Sequence, residues 1–401
     1  MIFLRVNQIE TTQNTMKIII VGTTYPYRGG LAAYNERLAR EYSKQGHEVE
    51  IYTFSLQYPS FLFPGKTQFS GEKAPVDLKI HRRINSLNPV SWIKTGREIK
   101  KKSPDKIIFS YWMAFVAPCF GTIARFARNS NTKMVALIHN MIPHEPTILD
   151  KLFPRYFVNA MDGFVVMADS VIEDVKSFDK TNKPKKVSPH PIYDHYGDAL
   201  DKKTAAMKLG LHEQNSYILF FGFIRQYKGL DLLLEAFADE RLRQFPLKLI
   251  IAGEFYENPE PYLHLIAKLK LDNFIELRTM FIPDNDVRNY FSVSDIVAQP
   301  YRTATQSGVS QIAYHFDKPM LVTNVGGLAE IVPHGKVGYV VDVEPKQIAD
   351  ALVDFYTNNR SDEFIENIKV EKQKYAWSGM TDAIDGLFSP LTSKEGKQGS
   401  L

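Results

Sequence analysis

Two cations occupy a loop between a predicted strand at 217–223 and an amphipathic helix. The loop, IRQYKG, carries Arg225 and Lys228, and the helical sequence LDLLLEAFADERL follows it. Cations near a helix N-terminus suit a diphosphate, whose negative charge grows as its bond to a sugar breaks. A solvated basic loop is the structural alternative.

Three further loops between strands and helices carry glycines or hydroxyls. Gly29-Gly30 precedes a predicted helix that opens at Leu31, TQSGVS (305–310) precedes another, and NVGG (324–327) is followed by Glu330. Glycine allows the backbone to approach a ligand closely, and a helix N-terminus favours an anion. Gly29-Gly30 is equally consistent with a tight turn.

A single histidine, His139, ends the predicted strand MVALIHN at 134–140. In open parallel sheets the carboxyl ends of the strands face the ligand, so this position directs His139 towards a cleft. A structural role is the alternative for a lone histidine. Cys119 follows Pro118 in an apolar stretch and is expected in the core rather than as a nucleophile.

Two other chemistries are disfavoured by the motifs. Asp284-Asn285-Asp286 has a spacing that holds divalent ions in some proteins, but it follows Pro283 and opens a predicted helix, where aspartates suit capping and the helix dipole. We therefore predict no metal site. The first loop lacks G-x-G-x-x-G, and no acidic residue ends the strand VEIYTF, which argues against a dinucleotide-dependent oxidoreductase.

The composition fits a folded two-domain protein. The chain has 401 residues, of which 44% are hydrophobic and 23% charged, with a net charge of +4. A single cysteine allows no disulfide within the chain, and a reducing, cytoplasmic compartment is expected. No stretch reads as a membrane span, and residues 1–15 lack the features of a signal peptide. They are expected to be a disordered extension or to result from a misassigned start, with the domain beginning at Met16.

The elements that must position these loops alternate along the chain. Continuous apolar runs predict buried parallel strands at 17–22, 107–112, 134–140 and 163–168, with helical stretches between them. A second series of strands is predicted at 217–223, 247–253, 275–282, 295–300, 319–327 and 338–342. The pattern predicts two doubly wound, Rossmann-like α/β domains that face a central cleft.

Three segments follow from this organisation. Residues 16–197 are predicted to form an acceptor-side domain, and residues 198–376 a domain that binds a nucleotide sugar, with the crossing in the irregular stretch at 184–203. Residues 377–401 are predicted to form a C-terminal helix that packs back on the first domain, followed by a flexible tail.

Read in order, these motifs resemble the retaining glycosyltransferases of family 4, which have the two-domain GT-B fold. The second half carries the more specific part, FGFIRQYKGLDLLLEAF, SDIVAQP, QSGVSQIAYHFDKPMLVTNVGGLAEIV and GYVVD. The resemblance implies that Gly30 lies near the donor phosphates, His139 near the donor sugar and Lys228 on the diphosphate. It also implies that the amides of 308–310 meet the phosphates and that 280–282 frames the nucleobase.

The candidate site combines the loops with the resemblance. Its catalytic residues are His139, Arg225 and Lys228, and its donor-contacting residues are Gly29, Gly30, Gly222, Met280, Phe281, Ile282, Gln306, Ser307, Gly308, Val309, Ser310, Gln311 and Glu330. No cofactor is expected, and a UDP- or GDP-sugar is the expected donor substrate.

The sequence departs from the family pattern in two places. Phe223 stands where an arginine usually follows the strand glycine, and Arg225 is positioned to supply the charge. The family's two glutamates, eight residues apart, are also absent. The first falls near Thr305 or Gln306 and the second near Gln311 or Ile312, so Gln311 is the candidate for hydrogen bonding to the ribose hydroxyls.

The resemblance predicts transfer of a sugar from a nucleotide-diphosphate donor to a hydroxyl, with retention of anomeric configuration. The acceptor class is a saccharide or lipid-linked saccharide of a cell-surface polysaccharide. A catalytically inactive nucleotide-sugar-binding protein, or a sugar-nucleotide epimerase on the same fold, is the alternative.

Two segments suggest contact with lipid on the inner face of the cell membrane. Residues 79–106 are rich in Lys and Arg around Trp92, which suits an anionic membrane, although an ordinary solvated helix would look the same. The apolar loop YPSFLFPG (58–65) is a candidate to line the acceptor site or to touch lipid. No nucleic-acid partner is expected.

Overall fold

A computed structural model describes residues 15–58, 68–71, 73–141, 149–304 and 307–389. The predicted N-terminal extension, most of the apolar loop at 58–65 and the C-terminal tail from residue 390 lie outside these ranges, as do Thr305 and Gln306. No helix in the described ranges has both the length and the apolar character that a transmembrane span needs.

The first domain is a seven-stranded parallel sheet. Its strands are β1 (Lys17–Val21), β2 (Glu48–Leu56), β3 (Ile80–Asn85), β4 (Lys106–Tyr111), β5 (Lys133–Ile138), β6 (Gly163–Val166) and β7 (Lys185–Val187), in the order β3-β2-β1-β4-β5-β6-β7. Its helices are α1 (Gly30–Lys44), α2 (Pro89–Lys101), α3 (Ala117–Ala127), α4 (Leu149–Val158) and α5 (Asp169–Phe178). The predicted doubly wound fold is confirmed, and β3 and β7 add two edge strands that periodicity had missed.

The second domain repeats the architecture with six parallel strands. They are β8 (Ser216–Phe221), β9 (Leu247–Ala252), β10 (Ile275–Arg278), β11 (Ile296–Gln299), β12 (Met320–Thr323) and β13 (Gly338–Val341), in the order β10-β9-β8-β11-β12-β13. The helices are α6 (Lys202–Leu209), α7 (Leu230–Phe237), α8 (Glu260–Lys268), α9 (Asp284–Val293), α10 (Gly308–His315), α11 (Pro345–Thr357) and α12 (Ser361–Glu371). The strand order reverses beside β1 and β8, where such sheets bind ligands.

The central strands are largely apolar because helices cover both faces of each sheet, whereas the edge strands β3, β7 and β10 carry charged residues. All six residues of β4 are buried, and so are all four of β6. A further cluster of buried side chains runs through both domains, from Ile20 and Leu38 of the first to Val297 and Tyr314 of the second. The two domains therefore share one continuous apolar core.

The last helix, α13 (Trp377–Asp385), lies against the first domain. Trp377 donates from its indole nitrogen to the carbonyl of Ile192 at 2.8 Å, and its ring centroid lies 4.9 Å from that of Tyr34. The Tyr42 hydroxyl donates to Asp385 at 3.0 Å, and Lys106 pairs with the same carboxylate. The chain thus crosses back and connects the second domain to the first.

Replacement of Trp377 should weaken this connection. The side chain is only 2% exposed, so Trp377→Ala leaves a cavity and is expected to lower the free energy of unfolding by about 3–5 kcal/mol. Equilibrium urea unfolding measures it, with the exposed Ser378→Ala as the matched control on the same helix. A change below about 1 kcal/mol would mean that α13 does not hold the domains together.

Candidate active site

A cavity opens between the domains at the carboxyl ends of the strands. It has about 720 Å³ of atom-free space, part of which is open to solvent. The first domain contributes Gly29, Gly30 and Ala33, and the interdomain segment contributes Tyr196. The second domain contributes the remaining lining residues, which are Phe221, Gly222, Phe223, Gly253, Glu254, Phe281, Ile282, Asp284 and Val287. Of the predicted residues, Gly29, Gly30, Gly222, Phe281 and Ile282 thus line one cavity.

Two helix starts face each other beside this cavity, one from each domain. α1 begins at Gly30 and α10 at Gly308, and no side chain caps either start. A Cβ on Gly30 would lie 3.1 Å from the Tyr193 hydroxyl, and a Cβ on Gly308 would lie 2.8 Å from the Tyr193 ring. Glycine at both positions therefore admits Tyr193, and both uncapped helix starts keep free amides at the meeting point of the domains.

Lys228 is a buried cation. Its residue is 9% exposed, and no hydrogen bond or ion pair to another described residue is formed by its ammonium. Burial and, to a smaller extent, the nearby Arg225 charge lower its pKa to about 8. A Cβ on Gly222, which has φ 94°, would lie 3.1 Å from the Lys228 Nζ atom. The end of β8 therefore needs glycine, and the site holds an unbalanced positive charge that an anion would stabilise.

Arg225 completes this cationic loop. Its guanidinium lies 3.6 Å from the centroid of the Tyr256 ring, and its Nε atom is buried without a hydrogen-bond partner. The loop continues from β8 through a 3-10 turn at Gln226–Lys228, which ends where Gly229 adopts a left-handed conformation and α7 begins. The two cations are thus held by the backbone rather than by carboxylates.

The predicted loop at 305–310, which leads into α10, is only partly directed towards the cleft. Val309 lies beside Gly222, 3.8 Å from the position of a Cβ there, and Ser307 shares a 3.4 Å hydrogen bond with the Tyr301 hydroxyl. The Ser310 hydroxyl donates inwards to Gln299 at 3.0 Å. The Gln311 amide group is buried without a partner in the described chain and does not line the cavity. Gln306 lies outside the described residues.

His139 follows β5 directly, is partly exposed and is not among the residues that line the cavity. Its Nε2 atom shares a 2.9 Å hydrogen bond with the Ser110 hydroxyl, and its ring meets that of Tyr34 at 4.8 Å. Burial and, to a smaller extent, the neighbouring His190 lower its pKa to about 3. His139 is therefore a neutral hydrogen-bonding group rather than a cation.

The remaining predicted residues lie at the periphery. Met280 is exposed and Glu330 is exposed beyond the end of β12, and neither lines the cavity. The structure corrects the expected capping by Asp284 and Asp286: Pro283 takes the N-cap position, and both aspartates lie in the first turn of α9. Over the described ranges no group of three or more His, Cys, Asp or Glu side chains is placed to hold a metal ion.

Family models match both halves of the chain. "Glycosyltransferase Family 4" matches residues 28–193, and "Glycosyl transferases group 1" matches residues 215–358. The chain belongs to the family 4 glycosyltransferases. The glycosyltransferase is 22% identical, over 84% of its length and 87% of the relative's, to N-acetyl-alpha-D-glucosaminyl L-malate synthase of Bacillus anthracis. It is 26% identical to D-inositol 3-phosphate glycosyltransferase of Corynebacterium aurimucosum, with 92% of each chain covered.

Solved structures share its fold. Sucrose-phosphate synthase of Thermosynechococcus elongatus superposes with a TM-score of 0.70 at 13% identity, covering 94% of this chain and 99% of that one. Anabaena HepE in complex with UDP and glucose superposes with a TM-score of 0.69 at 16% identity, covering 94% and 100%. The glycosyltransferase therefore has the GT-B fold.

Four residues of this glycosyltransferase site had no signal in single motifs. Tyr193 and Tyr196 come from the irregular interdomain segment, where no periodicity marks them. Arg28 directly precedes Gly29-Gly30, and Glu254 follows the glycine that ends β9. The rule that ligands meet the carboxyl ends of parallel strands would have selected the last two.

Three neutral histidines make the domain interface sensitive to acid. Burial lowers the pKa values of His139 to about 3 and of His190 and His195 to about 4, whereas an unfolded histidine titrates near 6.5. Below pH 6.5 the unfolded chain binds more protons than the folded protein. The free energy of unfolding therefore decreases as the pH is lowered, until the folded pKa values are reached. Each histidine contributes up to about 1.4 kcal/mol per pH unit.

Urea unfolding of the glycosyltransferase at pH 7.5, 6.0 and 5.0 measures this slope. We expect His195→Gln, which removes one such group, to give a shallower pH dependence than the wild type. The exposed His264→Gln is the matched control and should keep the wild-type slope. Equal slopes in all three proteins would show that His195 is already protonated in the folded state.

Proposed function

We propose that this glycosyltransferase moves a sugar from a UDP- or GDP-sugar to a hydroxyl of a saccharide or lipid-linked saccharide of a cell-surface polysaccharide. The transfer retains the anomeric configuration and needs no metal. The observation that carries the proposal is the buried Lys228 ammonium, which has no hydrogen-bond or ion-pair partner among the described residues and lies beside Arg225 and the cavity-lining Gly222. The complexes of Anabaena HepE with UDP and with UDP-glucose support a uridine nucleotide as the first donor to test.

The donor can be laid out along this cavity. The nucleobase lies against Phe281 and Ile282, and the diphosphate meets Lys228, Arg225 and the free amides at the Gly30 and Gly308 helix starts. Two fixed cations and two helix N-termini neutralise a diphosphate in the way that a divalent ion does elsewhere. For this reason we propose that the transfer needs no metal.

The transfer breaks the bond between the anomeric carbon and the β-phosphate oxygen. The electron pair goes to the phosphate, whose growing charge is stabilised by Lys228 and Arg225. The acceptor hydroxyl attacks from the face that the leaving group vacates, and its proton passes to the departing phosphate. The products are a nucleoside diphosphate and a glycoside of unchanged configuration. The neutral His139 accepts or donates a hydrogen bond at the transferred sugar.

Removal of the Lys228 charge should reduce donor affinity without harming the fold. Lys228→Met keeps the length of the side chain and eliminates a buried, unpaired charge, so its melting temperature without ligand should equal or exceed that of the wild type. One lost charge-assisted contact should weaken donor binding about 10- to 100-fold. The exposed Lys203→Met is the matched control.

A thermal-shift panel of UDP-, GDP-, ADP- and dTDP-sugars in EDTA makes this measurement. We expect one donor to stabilise the wild type and the control, and to stabilise Lys228→Met much less. Equal stabilisation of all three proteins would exclude Lys228 from the donor site. If the donor binds but is neither transferred nor hydrolysed, the alternative of an inactive binding protein is favoured. If the donor is epimerised, the epimerase is favoured. A product whose anomeric configuration is found by NMR to be inverted would contradict retention. Activity that is lost in EDTA and restored by manganese would contradict metal independence.

The membrane proposal now rests on one face of α2. Within the basic segment at 79–106, Trp92 donates to the carbonyl of Asn85 and packs on the core, Lys102 pairs with Glu50, and Lys106 pairs with Asp385. The exposed residues Val90, Lys94, Arg97 and Lys101 lie three or four positions apart and share a face. Arg97 extends over the exposed Phe126 of α3, with 5.6 Å to the ring centroid. We propose that this basic and apolar face rests on anionic lipid.

Loss of three cations should abolish this attachment. We expect the wild type to sediment at low salt with vesicles that contain phosphatidylglycerol, and Lys94→Gln/Arg97→Gln/Lys101→Gln to stay in the supernatant, because each cation near the surface contributes about 1 kcal/mol. A triple variant on α8 and its C-terminal end, Glu260→Gln/His264→Gln/Lys268→Gln, is the control. Equal sedimentation of the α2 variant and the wild type would exclude this face as the contact.

A further inference from the structure

One ion pair crosses the cleft at the cavity. Arg28, in the loop between β1 and α1, places its guanidinium nitrogen 3.7 Å from a carboxylate oxygen of Glu254, which follows β9. The side chains are 14% and 22% exposed, so solvent screens the pair only in part. Among the ion pairs of the described residues, this pair alone joins the domain of the first sheet directly to that of the second.

The same arginine touches the expected position of the nucleobase. Its guanidinium carbon lies 4.4 Å from the centroid of the Phe281 ring, which is partly exposed on the cavity wall. Glu254 and Gly29, the neighbour of Arg28, line the same cavity. The ion pair therefore spans the space that a nucleotide would enter.

Glu254 is connected both to the expected base position and to the loop that carries Lys228. On one side it is linked through Arg28 to Phe281. On the other, its backbone carbonyl accepts a 2.8 Å hydrogen bond from the amide of Ile224, in the loop that leads to Lys228. A nucleotide has the covalent order base, ribose and phosphate, so a ligand with its base at Phe281 and its phosphates at Lys228 places its ribose at Glu254.

The chemistry of a carboxylate selects the same part of the ligand. An ionised carboxylate only accepts hydrogen bonds and repels phosphate, whereas two adjacent ribose hydroxyls are good donors to it. Gln311 does not line the cavity, and its amide group is buried without a partner in the described chain. Asp284 is the other carboxylate among the lining residues, and it lies in the first turn of α9, whereas Glu254 is hydrogen-bonded through its carbonyl to the loop that leads to Lys228.

We propose that Glu254 is the residue that holds the donor ribose, and that the Arg28–Glu254 pair is a latch that the donor must exchange for its ribose hydroxyls. The proposal rests on the proposed function, since it assumes that a nucleotide sugar enters this cavity. The latch and the ribose compete for one carboxylate. Loss of Glu254 therefore weakens binding of a ribonucleotide. Loss of Arg28 strengthens it and lets the cleft open at this edge, while the shared apolar core and α13 still join the two domains.

Calorimetric titration with UDP and 2′-deoxy-UDP tests the ribose contact, with GDP and 2′-deoxy-GDP in their place if the donor panel selects guanosine. We expect the wild type to bind the ribonucleotide about 10-fold more tightly than its deoxy form, as fits one charge-assisted hydrogen bond. Glu254→Ala should bind both with nearly equal affinity. Glu257→Ala, which removes an exposed carboxylate three residues away, should keep the wild-type ratio. A wild-type ratio in Glu254→Ala would overturn the assignment.

The latch is tested with Arg28→Ala and with the exchanged pair Arg28→Glu/Glu254→Arg. We expect Arg28→Ala to bind UDP a few-fold more tightly than the wild type and to have a larger radius of gyration by X-ray scattering without nucleotide. The exchanged pair restores the ion pair, so it should return to the wild-type radius while losing the preference for ribose. Weaker UDP binding by Arg28→Ala, or an unchanged radius, would overturn the latch.

The scattering arm separates this proposal from the proposed function. If neither nucleotide binds the wild type, the donor proposal fails and the ribose role fails with it. The latch as a link between the domains is then still decided by the radii of Arg28→Ala and the exchanged pair. If nucleotides bind and the ribose preference survives in Glu254→Ala, only the further inference fails.

Discussion

Tyr193 sets how closely the two domains approach. A Cβ on Gly308 would lie 2.8 Å from its ring and a Cβ on Gly30 3.1 Å from its hydroxyl, so glycine at both positions lets both helix starts pack closely against it. The hydroxyl donates to Nε2 of His190, whose Nδ1 donates to the Pro191 carbonyl. This contact brings the amino ends of α1 and α10 to the same place, and the cavity beside them exists because the domains meet there.

The ionisable groups around this contact differ in charge according to whether a ligand can reach them. The histidines at the interface are kept neutral by burial, since an imidazolium without a partner would be costly there. The cations of the Lys228 loop, by contrast, stay without carboxylate partners at the end of β8, where the cavity admits a ligand. A positive charge that the protein leaves unbalanced beside free helix amides is the physical feature that suits a diphosphate.

Much of the architecture could be predicted because each strand of a parallel sheet that is covered on both faces is a continuous apolar run in the sequence. The runs at 17–22 and 217–223 are apolar without alternation, as strands buried on both sides require. β3, with the sequence IHRRIN, is an edge strand with exposed arginines, and β7 has only three residues, so neither carries that signal. Trp92 seemed to belong to a basic surface, but a hydrogen bond to Asn85 turns it inwards.

The sequence by itself determined the fold class, the family and the loops that carry the cations and glycines, because these depend on local periodicity and on short motifs. Only the tertiary structure decided which loops face the cavity. It placed Glu254 at the cavity wall and Gln311 in the interior, and it paired Arg28 with a residue more than two hundred positions away. Such contacts depend on how the two domains are oriented, and that orientation is set by Tyr193 and α13 rather than by any local pattern.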